Sequence, residues 1–243
     1  MTPPSAGTHP MDAGVHPIEA ESYRILGARL DLRALPPLTA AVTARVAHAT
    51  ADLELASSLV ADEASLAAGV AALGAGAPVV TDVEMVRAGL GGLDACCWIR
   101  RATAEPGLTR SAVAVRLAAA AVPDDAVWVV GCAPTALVEL VEQAAAGRLR
   151  PALVIGLPVG FVGAAESKQL LRASGLPALS NVGEKGGSAA AAAALNALAR
   201  VARSATPSPP GHPSPAAEPP HRGSSCSAPD HPAGQPGPGR SRA

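Results

Sequence analysis

From residue 78 onward, short apolar runs alternate with longer stretches whose apolar positions recur every three to four residues. Pro78-Val79-Val80-Thr81-Asp82 predicts a buried strand, followed by a short helix through Met85 and Val86. Residues 95–100 predict a second strand and residues 109–122 a helix. The alternation then repeats three times: strands over 126–131, 151–156 and 177–182, helices over 134–146, 164–173 and 188–201. Strands that are apolar throughout suit burial on both faces, and their interleaving with helices predicts βαβ units. The expected fold class is α/β: a mainly parallel five-stranded sheet between two helical layers. Residues 16–75 come first and read as mainly helical.

The topology directs attention to one rim. In open parallel sheets ligands bind beyond the carboxyl ends of the strands. Those ends carry Thr81-Asp82, Arg100-Arg101, Gly131-Cys132, the Gly156–Gly163 turn and the Asn181–Ser188 turn. Both glycine-rich turns follow strand-like runs. Glycine lets backbone approach a ligand closely, and exposed N–H groups suit anions. Gly160, Gly163, Gly186 and Gly187 are therefore candidate ligand-facing positions. Ser188 is placed to cap the last helix, and Lys185 to add a point charge. The order of residues is not GxxxxGK[ST], which argues against a nucleoside triphosphate. Glu166 and Lys168 are two apart, on different helix faces; solvation accounts for them, and their nearness to the glycine turn leaves a ligand role open.

Composition narrows the classes. A net charge of −1 gives no whole-protein field for nucleic acid or an anionic membrane. At 2% aromatics the chain offers no stacking platform for bases. No stretch has the apolar length to span a bilayer, and prolines replace a signal peptide's apolar core, so the expected location is the cytoplasm. The four cysteines, Cys96, Cys97, Cys132 and Cys226, form no CxxC and read as reduced thiols; no metal site is expected. Residues 1–15 and 205–243 are rich in proline, glycine and serine and read as disordered tails around a folded domain at 16–204.

Two motifs could carry chemistry. Thr109-Arg110-Ser111 opens a helix, with Thr109 as N-cap. A first-turn arginine is tolerated on an exposed face, and equally suits a fork that grips a carboxylate. His48 lies in a helix-like run with Arg45 three residues before it and Asp52 four after. A lone histidine at a core edge is more often structural. Its chemistry, if used, is proton exchange near neutral pH, because no nucleophile or metal-ligand spacing surrounds it.

Together the motifs resemble the precorrin-8X methylmutase family, also called cobalt-precorrin-8 methylmutase. The matching stretches are HPIEAESYRIL (16–26), RVAHA (45–49), GAPVVTDVEMVRAGL (76–90), TRSA (109–112), APTAL (133–137), IGLPVGFVGAAESK (155–168) and SNVGEKGGSAAAAAALNALA (180–199). The resemblance implies a homodimeric, flavodoxin-like enzyme without cofactor. Its implied reaction moves a methyl group from C-11 to C-12 of a tetrapyrrole, giving hydrogenobyrinate, or cobyrinate when cobalt is in the ring. His48 falls on the family's catalytic histidine, the implied proton donor. Ser22 and Arg110 fall on implied substrate contacts. Thr81, Asp82, Ser111, Gly160, Gly163, Lys185, Gly186, Gly187 and Ser188 complete the expected binding set. This chain has Cys132 where the family commonly has asparagine, and Ala49-Thr50-Ala51 where a cysteine-glycine pair commonly follows the histidine. A non-catalytic carrier of the corrinoid product is the alternative, and an enzyme for another anionic ligand a third reading. A carrier has no need of a proton donor at His48.

Overall fold

The structure, a computed structural model, describes residues 16–122 and 124–205. These fall within the first of two units into which the chain divides, Met1–Pro210. The expected tails lie outside the described residues, except that the last helix runs on through Ala205.

Apolar periodicity becomes layers. The sheet contains β1 (Leu59–Ala61), β2 (Val79–Thr81), β3 (Cys96–Cys97), β4 (Val127–Val130), β5 (Leu153–Gly156) and β6 (Ala178–Asn181), in the order β1-β6-β5-β4-β2-β3. The strands β3, β2, β4, β5 and β6 are mutually parallel. Val127, Val129, Leu153, Ile155 and Leu179 enter one core with α2 (Pro37–Thr50), α4 (Glu63–Gly74) and α9 (Ser188–Ala205). The alternate residues Val80, Trp128 and Val130 meet α6 (Arg110–Ala121) on the other face. There α6 packs on α7 (Pro134–Ala145), and α7 on α8 (Ala164–Ala173). Period-two side chains on each strand thus feed two helical layers.

The sheet differs from the expected one in two respects. It is six-stranded and mixed, because β1 pairs antiparallel with β6, Leu59 opposite Asn181 and Ala61 opposite Leu179. A three-residue edge strand between two helices is too short to show a period, so β1 left no readable pattern. The strand expected over 95–100 shrinks to Cys96–Cys97, since the chain turns at once, the Arg101 N–H bonding to the Trp98 carbonyl at 2.9 Å.

Two helices precede the sheet and bring the first motif into place. α1 (Pro17–Arg29) lies on α2, burying Leu26 against Ala47 and Ala56. α2 ends at Ala51, which is left-handed at φ 53°. Asp52 then caps the short α3 (Leu53–Ser57), accepting from the Leu55 N–H at 2.9 Å. That sharp corner leaves His48 in the final turn of α2, half exposed. Among the described residues no helix is long and apolar enough to cross a membrane.

Candidate functional site

Around His48 the first two helices build a small polar constellation. Ser22 Oγ lies 2.8 Å from His48 Nδ1. The adjacent Tyr23 ring stacks on the imidazole, centroids 4.9 Å apart and planes inclined by 13°. Arg45, one turn before His48, donates to Glu19 at 2.9 Å and to the Tyr23 hydroxyl at 3.4 Å. The Tyr23 hydroxyl and then Glu19 favour the charged guanidinium and raise its pKa. α1 therefore supplies a hydrogen bond and a ring face that orient the imidazole, and with Nδ1 engaged, Nε2 is the nitrogen free to meet a ligand. Asp52, four residues after His48, does not share this helix face, because α2 has ended before it.

Along the sheet's carboxyl rim the expected residues divide into free and spent. Asp82 is 3% exposed, and its carboxylate accepts from the Gly131, Cys132 and Ala133 N–H groups at 3.1, 2.8 and 3.0 Å. Asp82, just after β2, thereby fastens the turn that leads from β4 into α7, whose N-cap Ala133 makes no side-chain cap. Burial pushes the Asp82 carboxyl up while those N–H groups pull it down, and burial dominates. Thr81 is also buried, its hydroxyl donating to the Cys96 carbonyl at 3.4 Å. Both residues serve the scaffold beneath the rim in this arrangement.

Arg110 is different. It is the first residue of α6, exposed, and has no ion pair or hydrogen bond among the described residues; Ser111 beside it is half-buried. Thr109 caps α6 through the Ala112 N–H, and its hydroxyl meets that of Thr135 at 2.7 Å. The N-termini of α6 and α7 are thereby held side by side under an unpaired guanidinium.

The two glycine turns form a joined wall. The Gly160 N–H donates to the Glu184 carbonyl at 3.2 Å, and the Gly187 N–H to the Leu157 carbonyl at 2.8 Å. Gly163 opens α8 at φ +78°, close beside Pro134 of α7. At Gly186 a Cβ would lie 2.3 Å from the Leu157 oxygen, so only glycine fits. Ser188 is the first helical residue of α9, and Gly187 takes the capping place expected for it, its carbonyl accepting from Ala191. Lys185 is not the free charge expected of it. Its ammonium bonds Asp52 at 2.8 Å and Glu54 at 2.9 Å, which hold its pKa up, Asp52 most. That bridge ties the second turn to the corner following His48, so a chain of contacts runs round the rim from Arg110 to His48.

The solvated surface position that sequence favoured for Lys168 is not what the structure shows. The residue is fully buried on α8, donating to Asn181 Oδ1 at 2.9 Å and to the Lys185 carbonyl at 2.7 Å. Burial, with Arg172 nearby, lowers its pKa to about 8. Its spacing from Ala164 and Leu171 puts it on the apolar face of α8, and that period is the signal sequence reading passed over. Cys97 and Cys132 carry free thiols, both pushed up chiefly by burial, whereas Cys96 is disulfide-bonded, against the expectation of reduced thiols throughout.

Residues 17–201 match the family model described as precorrin-8X methylmutase. The precorrin-8X methylmutase of Pseudomonas aeruginosa is 40% identical over 182 residues, covering 70% of this chain and 87% of that protein. The cobalt-precorrin-8 methylmutase of Methanocaldococcus jannaschii is 37% identical over 149 residues, covering 59% of this chain and 70% of that one. The crystal structure of the precorrin-8X methylmutase from Thermus thermophilus superposes with a TM-score of 0.70 at 36% identity, covering 78% of this chain and 98% of that chain.

Proposed function

The chain belongs to the precorrin-8X methylmutase family, an isomerase of cobalamin biosynthesis, and on that premise we propose that His48 is its acid and that the rim from Arg110 to Ser188 holds the tetrapyrrole. The observation that carries the assignment is the 2.8 Å contact from Ser22 Oγ to His48 Nδ1. Ser22 holds Nδ1 in either protonation state, accepting from Nδ1–H of the imidazolium and donating to Nδ1 of the neutral ring, so the exchangeable proton is the one on Nε2. From the imidazolium, Nε2–H bonds or protonates ring C of the macrocycle and draws electrons from the conjugated system, leaving a neutral imidazole whose Nδ1 accepts from the Ser22 hydroxyl. The bond from C-11 to the methyl breaks as the bond to C-12 forms; nothing is oxidised or reduced, and the proton returns to Nε2. Tyr23, stacked on the imidazole, keeps the ring in plane.

Arg110 is the first candidate for a substrate carboxylate, being a fork without a partner among the described residues. Gly160, Gly163, Gly186 and Gly187 supply close backbone, and Ser111 and Ser188 the flanking hydroxyls. Thr81 and Asp82 act from below by setting the rim's shape, and Lys185 by joining it to Asp52. Without β1 the order is β3-β2-β4-β5-β6, which counted from β2 as the first strand is 2-1-3-4-5, the flavodoxin-like order, and supports that reading of the fold. Exposed Ile18, Phe161, Val162 and Val182 support a homodimer, tested by light scattering on the purified protein. A monomer at all concentrations would remove that part.

Purified protein should change the absorption spectrum of precorrin-8X, or of cobalt-precorrin-8, because methyl migration alters the conjugation. Unchanged spectra with both substrates would overturn the proposal. Arg110→Ala should raise KM by roughly 10-fold or more, the worth of a charge-assisted hydrogen bond, with kcat within about 3-fold of wild type. Steady-state kinetics check this; an unaltered KM would remove Arg110 from the pocket.

A further inference from the structure

We propose that Lys168 is a positioning residue of the tetrapyrrole pocket, whose ammonium group grips the Asn181–Lys185 turn from inside the protein and holds the second glycine turn in its ligand-receiving shape. The inference rests on the function proposed above. It starts from an anomaly: Lys168 is fully buried, yet its described hydrogen bonds reach only neutral acceptors. A cation removed from water without a carboxylate is costly, and a methionine would fill similar space without that cost. Both acceptors, Asn181 Oδ1 and the Lys185 carbonyl, belong to one stretch of five residues. The Asn181 amide donates back to the same Lys185 carbonyl at 2.9 Å and to the Val182 carbonyl at 3.1 Å. Arg172, one helical turn along α8, takes the Asn181 carbonyl at 2.8 Å. The stretch is closed on itself and fastened to α8 by two cations.

What it fastens is functional surface. The next peptide begins Gly186, whose Cα faces the Leu157 and Pro158 carbonyls too closely for a side chain. The Lys185 side chain continues outward to Asp52 and Glu54, beside the corner that follows His48. Lys168 thus stands behind both the glycine wall and its tether to the acid's helix. The charged groups acting on it are Arg172 on α8, which lowers its pKa, and Glu184 on the turn, which raises it; Lys185 on the same turn is paired with Asp52 and Glu54.

The test is Lys168→Met in the full chain. It should raise KM for precorrin-8X and weaken hydrogenobyrinate binding by roughly 10-fold, with kcat within about 3-fold of wild type. A merely structural lysine would lower kcat together with the melting temperature at unchanged KM, or change none of them. In Lys168→Ala, added butylammonium should restore product binding. Wild-type product affinity should fall between pH 7 and pH 9 as the ammonium, near 8, is lost, while Lys168→Met stays flat over that range. If neither variant folds, the wild-type pH profile decides, and a flat one overturns the proposal, as does wild-type KM and product affinity in Lys168→Met. If wild type does not isomerise precorrin-8X, the function reading fails. The clamp then stands or falls on hydrogen exchange, with protection at residues 182–187 lost in Lys168→Met.

Discussion

His48→Ala should melt within a few degrees of wild type and lose methyl migration by roughly 10³-fold, the scale of a positioned general acid. The two halves of this expectation have different physical sources. The imidazole is half exposed at the last turn of α2, so its removal opens no sealed cavity. It gives up one hydrogen bond to Ser22 and one stacked contact with Tyr23, each worth about 1 kcal/mol. Val42 and Val46, which seat α2 in the core, are untouched. Binding of the product should change little, because the rim beyond Arg110 is intact. Only the step that draws electrons from ring C loses its donor. His48→Gln, which keeps an N–H but no dissociable proton, should recover part of the loss if hydrogen bonding suffices. A wild-type turnover number in purified His48→Ala would refute the assigned role. Loss of product binding equal to the loss of rate would recast His48 as a binding residue.

Much of the sheet was legible because burial on both faces writes itself as unbroken apolar runs. Val127–Val130 and Leu153–Gly156 are examples, each followed by a turn and a helix with clear period. β1 was not, since three residues paired at an edge carry no period of their own. The rim was legible only as a set of residue types. Sequence places Asp82, Arg110 and Lys185 at strand or helix ends alike, but their availability depends on partners distant in the chain. Asp82 meets N–H groups about 50 residues on, and Lys185 meets Asp52 more than 130 residues back. Arg110 has no hydrogen-bond or ion-pair partner among the described residues. The same blindness hid Lys168. A lysine beside a glycine turn reads as solvated until the fold shows that its helix face is the inner one. The pairing of Ser22 with His48 is also long-range, created by α1 lying across α2.

Gly186→Ala should be the most damaging change in the glycine wall, lowering stability by about 3 kcal/mol and the melting temperature by roughly 9 °C. A Cβ there would sit 2.3 Å from the Leu157 oxygen and 2.6 Å from the Pro158 oxygen. Both are backbone atoms, so no rotamer change relieves the contact, and the backbone at φ +159° lies at the edge of the region L-residues avoid. The turn must move bodily. Doing so breaks the 2.8 Å bond from the Gly187 N–H to the Leu157 carbonyl and disturbs the Lys185 carbonyl that Lys168 holds. Product affinity should therefore fall with stability. Gly183→Ala is the internal comparison. Its φ of +89° is strained, but a Cβ there meets nothing within 4 Å, so the cost should be only about 1 kcal/mol. Thermal melts of the two variants separate close approach from backbone strain. Equal melting temperatures would mean the Leu157–Pro158 and Gly186–Gly187 segments do not press together as described. The wall would then be two independent loops rather than one surface.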